Sequence, residues 1–155
     1  MSKTNAMRIL DANKIGYTSH TYDVNEDDLS GITVAEKINA EPESVFKTLV
    51  CIGDKTGIVV FCIPVTEELN LKKAASASGN KSVEMIRVKD LFQLTGYIRG
   101  GCSPVGMKKN YPTFIDETIN IFEEIFCSAG VRGMQLKLSS RDLITITKAI
   151  PADLI

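Results

Sequence analysis

Paired glycines followed by small polar residues can press backbone amides against an anion, and residues 99–106 hold such a run: Arg99-Gly100-Gly101-Cys102-Ser103-Pro104-Val105-Gly106. Lacking Cβ atoms, the glycines permit close approach of a ligand to the backbone. Clustered N–H groups then suit phosphate or a developing oxyanion. Ser103 would add a hydroxyl, and Pro104 would stiffen the turn. The run has neither the Gly-Lys-Ser/Thr of a P-loop nor the spacing of a dinucleotide fingerprint. The same residues would also serve as a tight structural turn.

Lys47 is the second candidate. It stands among apolar residues, after Val45-Phe46 and before Thr48-Leu49-Val50-Cys51-Ile52. A lysine so flanked either borders a pocket, holding a phosphate or ester oxygen as a point charge, or snorkels at a strand edge. His20 and Tyr22 lie two residues apart, on one face of an extended segment, where both could line a cleft. Asp142 could bind a substrate group, although a place at a helix start accounts for it fully. Cys102 invites a nucleophile reading, yet a thiol needs an activating base. His20, the single histidine, is distant from it in sequence.

The elements around these residues alternate between helix and strand. Residues 4–14 carry an apolar helical face and stop at Gly16, and 17–23 alternate as a strand. Thr33-Val34-Ala35-Glu36 reads as a capping box that opens a short helix to about residue 40. Pro42 suits another helical start. Residues 47–52 and 57–64 are apolar runs joined by Gly53-Asp54-Lys55-Thr56, the pattern of a hairpin. Helices are expected over 69–78 and 88–94, with a short strand over 83–86. Strands are expected over 113–116, 123–128 and 134–138. Ser139, with Asp142 three positions on, opens a last helix to about residue 149, and Pro151 follows it. The fold class is α+β around a mixed, curved sheet, in one domain over 1–155.

Composition narrows the function classes. With 155 residues, 44% of them hydrophobic, the chain can build a core. It has no apolar run long enough to span a membrane, and its polar N-terminus lacks a signal core. A cytoplasmic protein is expected. The cysteines Cys51, Cys62, Cys102 and Cys127 form no CxxC pair, so no metal site is expected. Cys51, Cys62 and Cys127 read as buried thiols. The net charge of −1 hides a block: residues 72–109 hold 8 basic and 2 acidic side chains. Such a block attracts phosphate, or it is simply a solvated face.

Several of these motifs together resemble the YbaK family of bacterial aminoacyl-tRNA deacylases. Val45-Phe46-Lys47-Thr48-Leu49, the run from Gly100 to Gly106, His20-x-Tyr22 and Ser128-Ala129-Gly130-Val131-Arg132-Gly133 occur in that family's order. Val131 stands where a lysine is frequent, and Arg141 where glycine is common. The resemblance implies a YbaK-like fold, a curved, barrel-like mixed sheet with helices around it. It implies hydrolysis of cysteinyl-tRNA(Pro), a product expected when a synthetase pocket cannot reject a side chain of similar size. In that reading Lys47 grips the tRNA 3′ end, while Gly100 and Gly101 hold the acyl carbonyl. Tyr22 and Asp142 place the substrate, and His20, Ser103 and Pro104 line its site. The cysteine's own thiol attacks its ester, so no protein nucleophile and no cofactor are needed. Charged tRNA is the implied partner, with recruitment by prolyl-tRNA synthetase and no role for DNA or a membrane. Alternatives are alanyl-tRNA(Pro) or a seryl-tRNA as substrate, or a non-catalytic module binding tRNA or a synthetase.

Overall fold

The computed structural model describes residues 2–155. Its centre is the expected hairpin, β2 (Phe46–Gly53) against β3 (Gly57–Pro64), in register from Phe46↔Pro64 to Gly53↔Gly57. The turn needs a positive φ at Gly57, which costs glycine nothing. Asp54 accepts the N–H groups of Lys81 and Ser82, tying the turn to the next segment.

β3 is buried without a break from Val59 to Pro64, because both faces of its sheet are covered. One face carries Val60 and Cys62 into the main core beside Ile115, Ile125 and Leu136. The other packs Val59, Phe61 and Ile63 against Ala74 and Ala75 of α3 (Leu71–Ser78). Asn70 caps α3 and Gly79 ends it in the left-handed region.

The strands form two sheets. The larger has the order β4-β2-β3-β5-β8, with β4 at Val83–Met85, β5 at Thr113–Asp116 and β8 at Ile150–Ala152. It is mixed, since β5 runs parallel to both β3 and β8. The smaller has the order β1-β7-β6, from Tyr17–Thr21, Met134–Ser139 and Glu124–Ser128. An isolated parallel bridge, Val45 to Phe126, links the two sheets. The class is α+β as expected, but the strands divide into two sheets rather than one.

Helices α1 (Asn5–Ala12), α4 (Val88–Thr95) and α5 (Ser140–Thr147) complete the frame. Ala6, Met7 and Leu10 give α1 its buried face. Among the described residues no helix is long and apolar enough to cross a membrane.

Two local expectations need correction. Helix α2 (Gly31–Lys37) is capped by Ser30, whose Oγ accepts the Thr33 N–H at 3.3 Å. Thr33 instead donates its hydroxyl to Asp28 at 2.7 Å. The helix can begin this early because Gly31 abuts Val65, where a Cβ would lie 2.2 Å from a valine methyl. Pro151 sits inside β8, an edge strand where a missing N–H is tolerated.

Candidate active site

Strand β4 pairs only with residues 51–53 of β2. The remainder of that edge, residues 45–50, lines a cavity of about 410 Å³. The entry to α2 at Ser30 and Ile32 forms a second wall, and Met85, Ile86 and Val88 a third. The loop closes one end with Arg99, Gly100 and Cys102. Ser128 of β6 and Gln135 of β7 form the far side. Among the described residues the lining carries two charged side chains, Lys47 and Arg99, and no carboxylate.

Lys47 is half-buried in this wall, and no carboxylate forms an ion pair with it among the described residues. Burial pushes its pKa down from the ordinary 10.5, while Glu68 and then Glu67 oppose the shift through their charge. A cation without a fixed counter-ion in a largely apolar cavity is poised for an anionic or strongly polar ligand.

The loop is held by its neighbours rather than by regular structure. Tyr97 is buried beneath it and donates its hydroxyl to the Val105 carbonyl at 2.5 Å. Arg132 Nε donates to the Arg99 carbonyl at 2.8 Å, pinning the loop to the β6–β7 turn. Gly100 takes φ 85° and lines the cavity, and among the described residues its N–H donates to no backbone carbonyl. Gly101 differs. Its N–H donates to the Ile98 carbonyl at 2.9 Å, and a Cβ there would lie 3.0 Å from the backbone at residues 131–132. The expectation of two free glycine amides is therefore corrected to one, because the second closes the turn.

Other expected residues fall outside the cavity wall. Ser103 is fully buried, and its Oγ accepts the Val105 N–H at 3.2 Å, so it and Pro104 shape the loop. Tyr22 lines a smaller recess behind Gly100, shared with Leu29, Val34 and Arg132. His20 pairs in register with Gln135, hydrogen-bonds Thr18, and sets its ring edge-on to Phe126 at 5.3 Å. Asp142 lies in the first turn of α5, where its N–H donates to the Ser139 cap. Cys102 does border the cavity, but burial pushes its thiol up to about 12. At neutral pH it is no thiolate.

Sequence reasoning missed Ser128 and Gln135. Each is a polar residue alternating with core residues (Ile125 and Cys127, Leu136 and Leu138) and so reads as solvent-facing. Both are nevertheless 7% exposed.

The model for the aminoacyl-tRNA editing domain matches residues 30–146. The chain belongs to the aminoacyl-tRNA editing domain family. Every cavity-lining residue except Leu29 lies within that span, whereas His20 and Tyr22 precede it. EbsC of Enterococcus faecalis (strain ATCC 700802 / V583), named as a proposed Cys-tRNA(Pro)/Cys-tRNA(Cys) deacylase, is 50% identical over 145 residues, 94% of this chain and 88% of that one. YwhH of Bacillus subtilis (strain 168) is 24% identical over 124 residues, 78% of each chain. Among solved structures, the protein APE2540 superposes with a TM-score of 0.87 at 21% identity, covering 97% of this chain and 99% of that one. A proposed trans-editing enzyme for prolyl-tRNA synthetase superposes with a TM-score of 0.82 at 23% identity, covering 99% and 98%. These structural likenesses establish the editing-domain fold.

Proposed function

We propose that this editing-domain protein acts in trans on mischarged tRNA, releasing cysteine from cysteinyl-tRNA(Pro). The observation that carries the reading is a cavity with a free cation and a free loop amide but no ionised nucleophile. Lys47 and the Gly100 loop share the lining, Cys102 is held protonated, and His20 is engaged outside. A cavity so equipped can bind and orient an ester but has no side chain ready to attack it. The nucleophile then comes with the substrate. The thiol sulfur of the bound cysteine attacks its own ester carbonyl, the bond to the ribose oxygen breaks, and the thiol proton ends on that oxygen. Water later opens the released thiolactone.

The protein contributes position and charge. Lys47 holds the 3′-terminal phosphate or sugar, and the Gly100 N–H meets the carbonyl oxygen. Tyr22 supports Gly100 from behind, and Ser103 and Pro104 fix the loop. His20 acts only through its neighbours, and Asp142 serves the start of α5. The similarity to EbsC supports cysteine as the amino acid removed. The basic block over 72–109 supports an RNA partner, and its modest size suits delivery by prolyl-tRNA synthetase in the cytoplasm.

The test is deacylation of cysteinyl-tRNA(Pro), with alanyl- and seryl-tRNAs beside it. Wild type is expected to release cysteine preferentially, and Lys47→Ala to lose roughly a hundred- to a thousandfold in rate. Tight tRNA binding without release of any amino acid would sink the enzymatic reading in favour of a binding module. Retention of prolyl-tRNA synthetase on the immobilised protein at low salt checks the delivery partner.

A further inference from the structure

We infer that Gln135 and Ser128 form a subsite for the α-ammonium group of the esterified amino acid; this rests on the deacylase reading above. Gln135 pairs in register with His20 on one side and Ser128 on the other, and residues opposite one another share a sheet face. That face meets the cavity, so Gln135 is nine-tenths buried while still in the lining. Its Oε1 is buried and has no hydrogen-bond partner among the described residues. Buried carbonyl oxygens are normally paired, and this amide holds no side-chain hydrogen bond among the described residues, so a half-turn of the amide can bring its oxygen to the lining to meet a ligand donor without breaking a protein bond.

The surroundings select the donor. The lining has Lys47 and Arg99 but no carboxylate among the described residues, so an ammonium entering it must rely on neutral oxygens. Ser30 Oγ accepts the Thr33 N–H and donates to Thr33 Oγ1 at 3.0 Å, so its bonds close within the α2 cap, and the Thr48 hydroxyl contacts Cys62 Sγ at 3.9 Å. Ser128 Oγ accepts the Gly130 N–H at 3.1 Å and keeps a lone pair beside Gln135. Gln135 Oε1 is the side-chain acceptor left unmet. A neutral amide also has an advantage over a carboxylate here. It accepts from an ammonium without neutralising Lys47, whose charge is needed for the nucleic-acid end. Anchoring the α-ammonium restricts rotation about the Cα–carbonyl bond and so sets where the side-chain thiol points. Gln135 is thereby a positioning and specificity residue.

The experiment compares tRNA(Pro) carrying cysteine with the same tRNA carrying N-acetylcysteine, which has no ammonium. Wild type is expected to favour the free amine by roughly ten- to a hundredfold in kcat/KM, the range for a hydrogen bond to a charged group. Gln135→Leu and the more flexible Gln135→Met should lose that factor on the free amine and discriminate between the two substrates no longer. Their melting temperatures should not fall, since no protein partner is lost. Variants that keep the discrimination, or lose activity equally on both substrates, overturn the assignment. So does a fall in melting temperature with activity per folded molecule unchanged. A third substrate, with a 2′-deoxy terminal adenosine, overturns it in another way if that is the substrate on which Gln135 variants match wild type. Wild type that releases neither amino acid would remove the deacylase reading itself, and the subsite with it.

Discussion

Two primary amides are buried to the same depth in this molecule and are treated in opposite ways. Asn80 is 8% exposed and Gln135 7%. Asn80 Oδ1 accepts the N–H groups of Lys55 and Thr56 at 2.8 and 3.0 Å. Its Nδ2 donates to the hydroxyls of Thr56 and Ser78 at 3.0 and 2.8 Å. The backbone of Gly53 lies so near that a Cβ would fall 2.2 Å from the amide nitrogen. Gln135 Oε1 has no partner among the described residues, and its side chain lines the cavity. A buried amide whose bonds close on the protein stabilises a turn. One left open beside a cavity lowers stability unless a ligand completes it.

The contrast is broken most forcefully at Asn80. Asn80→Leu strands two backbone donors of the β2–β3 turn and puts an alkyl group against Gly53. A loss of about 3 kcal/mol or more is expected, a drop in melting temperature of roughly 6–12 °C. Deacylation per folded molecule should stay at the wild-type value, because Asn80 lies outside the cavity. A large loss of activity at unchanged melting temperature would erase the distinction between the two amides. Tyr97 is the intermediate case. Its buried hydroxyl is satisfied by the Val105 carbonyl, so Tyr97→Phe should cost about 1–2 kcal/mol, read as a lower urea midpoint.

The same contrast explains what could be read from the sequence. The hairpin was legible because two apolar runs flank a polar turn, and its partners lie within a few residues. The start of α5 was legible because Ser139 and Asp142 carry the cap in adjacent turns. The start of α2 was not, since Ser30 and Thr33 both suit a cap and only Asp28, by taking the Thr33 hydroxyl, decides between them. β8 was missed because Pro151 argues against a strand until an edge is known to exist. In the site, Lys47 and Gly100 announce themselves by type and spacing. Gln135 does not: alternation marks it as outward-facing, and only the arrangement of β2 and α2 over that face turns outward into buried. The internal bond of Gly101 is equally a matter of loop geometry.

Smaller effects test whether position or unmet bonding matters. Burial raises the thiols of Cys51, Cys62, Cys102 and Cys127 from 9.0 to about 12. The unfolded chain therefore releases these protons first, and stability present below pH 9 should decline as pH rises toward 12. Urea midpoints across that range measure it. Cys102 alone of the four thiols borders the cavity, as Gln135 does, yet it is a weak hydrogen-bonding group. If an unmet strong acceptor is what marks a binding residue, Cys102→Ala should keep most deacylation, within about threefold of wild type, a small change beside the losses expected at Lys47 and Gln135. A folded Cys102→Ala protein without activity would show that the substrate's thiol is not the nucleophile. It would also make place in the cavity, rather than incomplete hydrogen bonding, the better guide to function in this fold.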